Sequence, residues 1–104
     1  MLLLTMDQDQ RGGWVYIMAD HYRGSTYVGV TSHLARRIYQ HREGIGSDYC
    51  AKHKLYRLVW AERGDTIDDC IVHEKRLKRW RREWKSDLIE KGNPDWADLF
   101  ASLV

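Results

Sequence analysis

The chain of 104 residues has little cysteine and little proline, with two cysteines and one proline. It also has no long hydrophobic run. Two cysteines are too few for a disulfide scaffold, and with no export signal in the sequence we expect both thiols to stay reduced, in the cytoplasm. The longest apolar stretch near the start covers residues 2–4, far short of a membrane span or a signal-peptide core. We therefore expect a cytoplasmic protein with no membrane partner.

The chain is instead rich in charge and in large aromatic side chains. It has 17 Lys and Arg against 15 Asp and Glu, a formal net charge of +2, five Trp and six Tyr. These proportions are typical of a folded protein, and the aromatic residues supply the bulky core that a small domain needs to offset chain entropy. The length fits one domain. We assign residues 1–12 to a loose leader and residues 13–104 to the domain.

The local patterns predict a small α/β domain with a three-stranded sheet. β-Branched and aromatic residues indicate the strands, and a polar turn containing glycine joins the first two as a hairpin. Capping residues followed by apolar residues at helical spacing indicate the helices. In the third strand we expect Tyr56, Leu58 and Trp60 on one face. The predicted order is a strand over 14–18, a strand over 26–30, a helix over 32–41, a loop over 44–48, a strand over 55–62, a helix from 65 or 66 to about 90, and a short helix over 95–103.

Glu74 is a carboxylate inside the apolar stripe of the long predicted helix, between Ile71 and Leu77. A carboxylate at such a position is costly to bury unless a partner cation or a metal ion neutralises it. The alternative is that the carboxylate lies at the edge of the stripe and bonds to a tryptophan or to a backbone N–H.

Arg37 and His41 lie four residues apart on the first predicted helix and share a face with Leu34. Arginine offers a planar fork of donors that suits phosphate, so this pair is a candidate anion site. The alternative is that Arg37, with Arg36 and Arg42, only solvates a basic helix.

Residues 75–85 form a strongly basic run with seven cations and one anion, in which Trp80 and Trp84 are interleaved. Cations in such a stripe release counterions from a phosphate backbone, while the aromatic rings support arginine side chains or stack on bases. A solvated basic helix is the alternative. The nucleic-acid-binding candidates in this run are Lys75, Lys78, Arg79, Arg82 and Lys85.

Two cysteine–histidine pairs of equal spacing, Cys50 with His53 and Cys70 with His73, offer the ligand types of a zinc site. Cys70 falls on the core stripe of the long helix, where free cysteine is often an ordinary core residue. A zinc-stapled binding domain is therefore kept as an alternative.

Several of these residues fall into one ordered set with two tyrosines. Tyr16 ends a Trp-Val-Tyr triplet, and Tyr27 begins a Tyr-Val-Gly triplet eleven residues later. The further members of the set, in order along the chain, are Arg37, His41, Glu74 and Asn93. The set resembles the GIY-YIG nuclease superfamily, in particular its small stand-alone bacterial members, from about residue 13 to residue 99. The first triplet departs from the name-giving Gly-Ile-Tyr motif, the second has Val for Ile, and Val30 stands where a lysine is sometimes found.

The resemblance implies a three-stranded antiparallel sheet flanked by helices and an enzyme that hydrolyses DNA phosphodiester bonds with one Mg²⁺ or Mn²⁺ ion. Glu74 would hold the ion, since hard cations of this kind fill their remaining shell with waters and phosphate oxygens. Arg37 would stabilise the charge on the phosphate oxygens. Asn93, by resemblance, belongs to the edge of the site.

The resemblance also assigns roles to the two tyrosines. Tyr16 is favoured as the general base, with Tyr27 orienting water or phosphate, although the two roles can be exchanged. Because the ordinary pKa of tyrosine is about 10, a nearby cation such as Arg37, His41 or the metal must favour the phenolate. His41 would relay a proton or hold a tyrosine, and Gly29 would let the strand end turn tightly beside the phosphate.

We therefore expect a small cytoplasmic DNA endonuclease domain, with a monomer favoured over an oligomer. The sequence gives no recognition domain, so we expect weak or no sequence preference and a selectivity for branched, nicked or single-stranded ends. The alternative is a non-catalytic nucleic-acid-binding module on the same fold.

Overall fold

The computed structural model describes residues 12–103, so residues 1–11 of the predicted leader and residue 104 lie outside the described residues. The described chain has three strands, four α-helices and a final 3₁₀ helix. In chain order these are β1 (Gly13–Ala19), β2 (Thr26–Thr31), α1 (Leu34–Arg42), α2 (Asp48–His53), β3 (Arg57–Gly64), α3 (Ile67–Lys78), α4 (Arg82–Gly92) and the 3₁₀ helix (Leu99–Leu103).

β1 is the central strand of an antiparallel sheet, with β2 on one side and β3 on the other. All seven residues of β1 are buried because helices cover both faces of the sheet. Trp14, Tyr16 and Met18 belong to one core cluster, closed by α1, α2 and the 3₁₀ helix, which we call the α1-side cluster. Val15 and Ile17, on the other face, belong to the α3-side cluster, closed by α3 and α4. The predicted three-stranded antiparallel sheet flanked by helices is confirmed.

Val59 forms a β-bulge in β3. Two successive residues of β1 pair with Trp60 and Leu58, which leaves Val59 without a partner on β1. The extra residue changes the alternation, so Leu58 enters the α1-side cluster while Val59 and Trp60 pack on the α3 side. The prediction that Leu58 and Trp60 share a face with Tyr56 is wrong for this reason, and Tyr56 precedes the strand.

The long helix predicted up to about residue 90 is two helices, α3 and α4, separated by residues 79–81. The Thr66 side chain caps α3, close to the predicted start, by accepting from the Asp69 N–H. A straight helix over residues 66–90 would measure roughly 38 Å, whereas the longest dimension of the described part of the chain is 32 Å. The break lets Leu77 of α3 and Ile89 of α4 reach the same core cluster. Within residues 12–103, no helix is long and apolar enough to cross a lipid bilayer.

α2 lies where the sequence analysis assigns only the end of a loop. The Ser47 side chain accepts a hydrogen bond from the Cys50 N–H at the start of α2, and Lys54 ends the helix in a left-handed conformation (φ 58°). The Cys50 side chain anchors this short helix in the α1-side cluster. Six residues are too few to show a clear helical period, so the helix depends on its cap and its anchor.

The predicted C-terminal helix is shorter than expected, since only its last five residues are helical, as a 3₁₀ helix. Asp98 precedes it, and its carboxylate accepts from the N–H groups of Leu58 and Phe100. The segment before the 3₁₀ helix is therefore tied to β3 instead of continuing a helical ladder.

Candidate active site

Tyr16 lies on the α1-covered face of the central strand, directly opposite Gly29 of β2. A Cβ atom on Gly29 would come within 2.4 Å of both Cζ and Oη of the Tyr16 ring. Glycine is therefore required at this position because the ring occupies the space of a side chain. The structure explains Gly29 by this close packing, and not by the tight turn at the strand end that we expected.

His41 holds the hydroxyl group of Tyr16. Its side chain is 1% exposed in α1, and its Nε2 atom lies 2.8 Å from Tyr16 Oη. Burial, and to a smaller extent the neighbouring Arg37 charge, lower the pKa of His41 to about 4. Among the described residues, Nδ1 of His41 has no hydrogen-bond partner.

Burial also raises the pKa of the Tyr16 hydroxyl, with a smaller contribution from Tyr27, while Arg37 opposes the shift. Tyr16 and His41 are therefore both neutral at pH 7. Arg37 alone does not favour the phenolate strongly enough to outweigh burial, and a neutral His41 adds no charge. Neither of the two protein cations considered from the sequence therefore makes the Tyr16 hydroxyl ionise at pH 7.

Tyr27 connects this buried pair to solvent through a row of aromatic rings. Its ring centroid lies 6.4 Å from that of Tyr16 and 5.7 Å from that of His41. On the outer side it stacks on Tyr49 of α2 at 6.0 Å, and Tyr49 in turn lies 4.5 Å from the His53 ring. Tyr49 is 49% exposed and was missed by the sequence analysis. The Ser47 cap was the signal that could have revealed the helix carrying it.

Arg37 lies one helical turn before His41, on the same side of α1. Its Nη1 atom donates to the Gly46 carbonyl at 3.2 Å. The guanidinium is close enough to the buried pair to shift the pKa of both Tyr16 and His41. Arg37 therefore places a positive charge beside the Tyr16 phenol, and it does not only solvate the exposed surface of α1.

Glu74 is 12% exposed and forms an ion pair with Lys78, one turn further along α3, at 2.7 Å between Oε2 and Nζ. The Lys78 ammonium also lies 5.9 Å from the centroid of the Tyr27 ring, and the Glu74 charge contributes to the raised pKa of Tyr16. Of the sequence-based alternatives for Glu74, the partner cation is the one observed. The carboxylate therefore already binds a cation next to the two tyrosines.

One carboxylate is a minimal metal site. Within residues 12–103, no group of three or more His, Cys, Asp or Glu side chains is arranged to hold an ion. Mg²⁺ and Mn²⁺ keep several waters and commonly use one or two carboxylates with substrate phosphates. Glu74 already binds a positive charge, so its carboxylate fits the role of a single ligand to such an ion. A cage of several protein ligands is not present within residues 12–103.

The zinc hypothesis is wrong. Cys50 lies in the α1-side cluster and Cys70 in the α3-side cluster, on opposite faces of the sheet. Burial raises the pKa of the Cys50 thiol to about 11 and also raises that of Cys70. The two thiols are therefore separated by the sheet and protonated, and they do not form a joint metal site.

The basic candidates divide into two groups. Lys78, Arg82 and Lys85 lie close together, since partial burial and then the charges of Arg82 and Lys78 lower the pKa of Lys85. Arg82 also donates to the Gly24 carbonyl at 2.7 Å and to that of Arg23, which ties α4 to the β1–β2 turn. The other two candidates, Lys75 and Arg79, are exposed near the end of α3.

Asn93 has a structural explanation. Its Nδ2 atom donates to the carbonyls of Val59 and Ala97 at 3.0 and 2.9 Å, and its Oδ1 atom accepts from the Ala97 N–H. The side chain therefore braces the β3 bulge against the end of α4. These bonds join Asn93 to β3 and to the segment after α4, and none of them is to Tyr16, His41 or Glu74.

Comparison with known proteins shows a match to the GIY-YIG catalytic domain family over residues 12–87. The chain is 32% identical to a UPF0213 protein of Staphylococcus saprophyticus over 69 residues, which cover 66% of this chain and 84% of the relative. It is 34% identical to a UPF0213 protein of Haloquadratum walsbyi over 68 residues, covering 65% of this chain and 76% of the relative. No solved structure matches the chain with comparable significance.

Proposed function

The chain belongs to the GIY-YIG family of nucleases, and from this premise we propose that it is a DNA endonuclease whose active site contains Tyr16, Arg37, His41 and Glu74. The observation that carries the proposal is the 2.8 Å contact between Tyr16 and His41, with Arg37 and Glu74 both close enough to act on the same phenol. A base, a phosphate-binding cation and a carboxylate are the groups that phosphodiester hydrolysis needs.

We propose that Glu74 holds one Mg²⁺ or Mn²⁺ ion. When bound, such an ion would stabilise negative charge on the phosphate and on ionised groups beside it. The half-exposed Lys78 ammonium would then leave the carboxylate and donate to a phosphate oxygen. Arg37 would do the same from α1, because a guanidinium has five donors and the Gly46 carbonyl accepts from one of its nitrogens.

In this proposal the Tyr16 hydroxyl first loses its proton to solvent water, and the phenolate then accepts a proton from the attacking water, while His41 keeps the phenolic oxygen oriented. We assign the single proton of neutral His41 to Nε2, from which it donates to Tyr16 Oη. The partnerless Nδ1 is then a bare acceptor, which is tolerated better in a protein interior than an orphaned N–H donor. A donor at this position stabilises the phenolate that remains after the Tyr16 proton has passed to solvent.

Tyr27 and Asn93 take supporting roles. Tyr27 is partly exposed between the buried pair and solvent, so we assign it the orientation of water or phosphate. Asn93 acts through the backbone it holds, by fixing the β3 bulge.

A cleavage assay with matched substitutions tests the proposal. Supercoiled plasmid, branched duplexes and single-stranded DNA are incubated with the protein and Mg²⁺ or Mn²⁺. We expect Tyr16→Phe and Glu74→Gln each to lower the cleavage rate roughly a hundredfold or more, because general base catalysis alone contributes about 10²–10⁴. Tyr39→Phe on the exposed face of α1 and Glu83→Gln on α4 serve as controls and should cut as the wild type does.

The outcomes separate the hypotheses. Preferred cutting of branched or nicked substrates supports selectivity for DNA structure, and equal cutting of all substrates refutes it. If the folded wild-type protein binds DNA but cuts none of the substrates with either metal, the fold serves as a non-catalytic nucleic-acid-binding module. If the two active-site variants cut as fast as the controls, the active site lies elsewhere.

A further inference from the structure

A groove at the junction of α3 and α4 is not used by the proposed reaction. It encloses about 520 Å³ and opens on the outer surface of the two helices. Its lining residues are aliphatic, aromatic or cationic, and none of them is acidic. They are Val72, Lys75, Arg76, Arg79, Trp80 and Trp84.

Two tryptophans form one wall of the groove. Their ring centroids lie 6.1 Å apart, with the ring planes nearly perpendicular at 87°. Trp80 packs against the α3-side cluster and is thereby fixed. Trp84 is 48% exposed, and the Arg81 guanidinium lies 5.4 Å from its ring centroid. A rigid inner ring thus supports an outer ring that is open to solvent.

The break between α3 and α4 creates this arrangement. Residues 79–81 interrupt the helical ladder, so Arg79 and Arg81 project beside the two rings instead of following one straight face. Two tryptophan rings in contact at a surface form a contiguous apolar patch, and such patches mark binding sites, unlike a single exposed hydrophobic residue. The cations beside the rings, with no carboxylate among the lining residues, favour an anionic ligand. The exposed ring favours a ligand that also carries flat aromatic groups.

We propose that this groove binds a single-stranded segment of nucleic acid, with a base stacked on Trp84 and its phosphates on Lys75, Arg76 and Arg79. In a duplex the bases are already stacked on one another and do not reach a surface ring, whereas an unpaired base of any type offers an open face. The ligand class is therefore an unpaired strand. Sequence preference is not expected.

The groove and the proposed active site share α3 but lie on different sides of it. Lys75 follows Glu74 directly in the sequence, and at 3.6 residues per turn the groove-lining residues of α3 point away from the side on which Glu74 pairs with Lys78. Resting on the proposed function, this placement gives the groove a specific role: it holds an unpaired flank that continues around α3 from the bond that is cut.

Binding without divalent metal tests the groove independently of cleavage. Fluorescence anisotropy measures the Kd of the wild-type protein for a labelled ten-residue oligothymidylate, for oligouridylate of the same length and for a blunt duplex. We expect Trp84→Ala to weaken binding of the single strand roughly tenfold or more while duplex binding stays unchanged. Trp84→Phe should restore most of the affinity. Tyr39→Ala, which removes an exposed aromatic ring from α1, should have no effect.

The salt dependence gives a second measurement. In Arg79→Ala the slope of log affinity against log salt for the single strand should decrease in magnitude by about 0.7, since one fewer cation is released. Equal loss of single-strand and duplex binding in Trp84→Ala, or no loss of either, would overturn the proposal. Tighter binding of oligouridylate than of oligothymidylate would identify RNA as the source of the strand. If the Trp84→Ala variant cuts DNA normally and binds the single strand with unchanged affinity, the proposed nuclease function stands and the groove is not a strand-binding site.

Discussion

The buried histidine should make the stability of the protein depend on pH. In the folded protein the pKa of His41 is about 4, against an ordinary value of about 6.5. Between these two values the unfolded chain binds more protons than the folded one, so stability falls as the pH falls from 6.5 towards 4. From pH 7 to pH 5 the two pKa values give a loss of about 2 kcal/mol. For a domain of this size that corresponds to a melting temperature lower by roughly 10 °C.

Thermal unfolding at pH 7, 6 and 5, followed by circular dichroism, measures this loss. The pKa of Glu90 is lowered to about 2 by its hydrogen bonds from Arg23 and Trp96, so its contribution is lost mainly below pH 4.5, outside this window. His41→Gln should flatten the dependence between pH 7 and pH 5, whatever its own stability at pH 7. His33→Gln is the matched control and should keep the wild-type slope. An unchanged slope in His41→Gln would refute the assignment of His41 as the titrating group.

Three further predictions concern the packing and the metal. Gly29→Ala should destabilise the fold by about 1–3 kcal/mol and lower the cleavage rate, because its Cβ would meet the Tyr16 ring; wild-type unfolding and cleavage would contradict the packing argument. Asn93→Ala should lower the free energy of unfolding by about 1–3 kcal/mol through two lost donors. Its cleavage rate per folded molecule should be retained, and a lost rate with unchanged stability would assign Asn93 to the reaction instead. EDTA should abolish cleavage and added Mg²⁺ or Mn²⁺ should restore it; cutting that persists in EDTA would exclude Glu74 as a metal ligand.

The parts of the fold that depend on local sequence could be predicted. The β1–β2 hairpin follows from two runs of strand-forming residues around a glycine-containing turn, and it brings Tyr16 and Tyr27 to one face. The spacing of Arg37 and His41 places both on one side of α1. These features need only the periods of a strand and a helix, which a single sequence records directly.

Other features depend on contacts between distant segments and leave little local signal. The bulge at Val59 is braced by the Asn93 side chain, 34 residues away, so its effect on the facing of Trp60 is not visible in the alternation of β3. The break at residues 79–81 contains neither glycine nor proline. It lets Leu77 and Ile89 reach the same core cluster, a contact that only the folded molecule defines.

The partners of the site residues show the same limit. Helical spacing identified Glu74 as a carboxylate that needs a partner and offered Lys78 only as a surface cation, although the two form an ion pair. Tyr49 was missed because six-residue helices carry no useful period, and its stacking on Tyr27 depends on how α2 packs against the core.

The close approach of Tyr16 to Gly29 also has a consequence for how the chain selects its fold. A shift of one residue in the β1–β2 pairing would set Val28 or Val30 opposite the Tyr16 ring, and would turn Tyr27 to the other face of the sheet. Either valine places a Cβ where the ring now lies over bare backbone. A misregistered hairpin is therefore penalised by this steric clash, because only glycine leaves room for the ring. The pairing that assembles the two tyrosines is also the one in which the sheet closes without the clash.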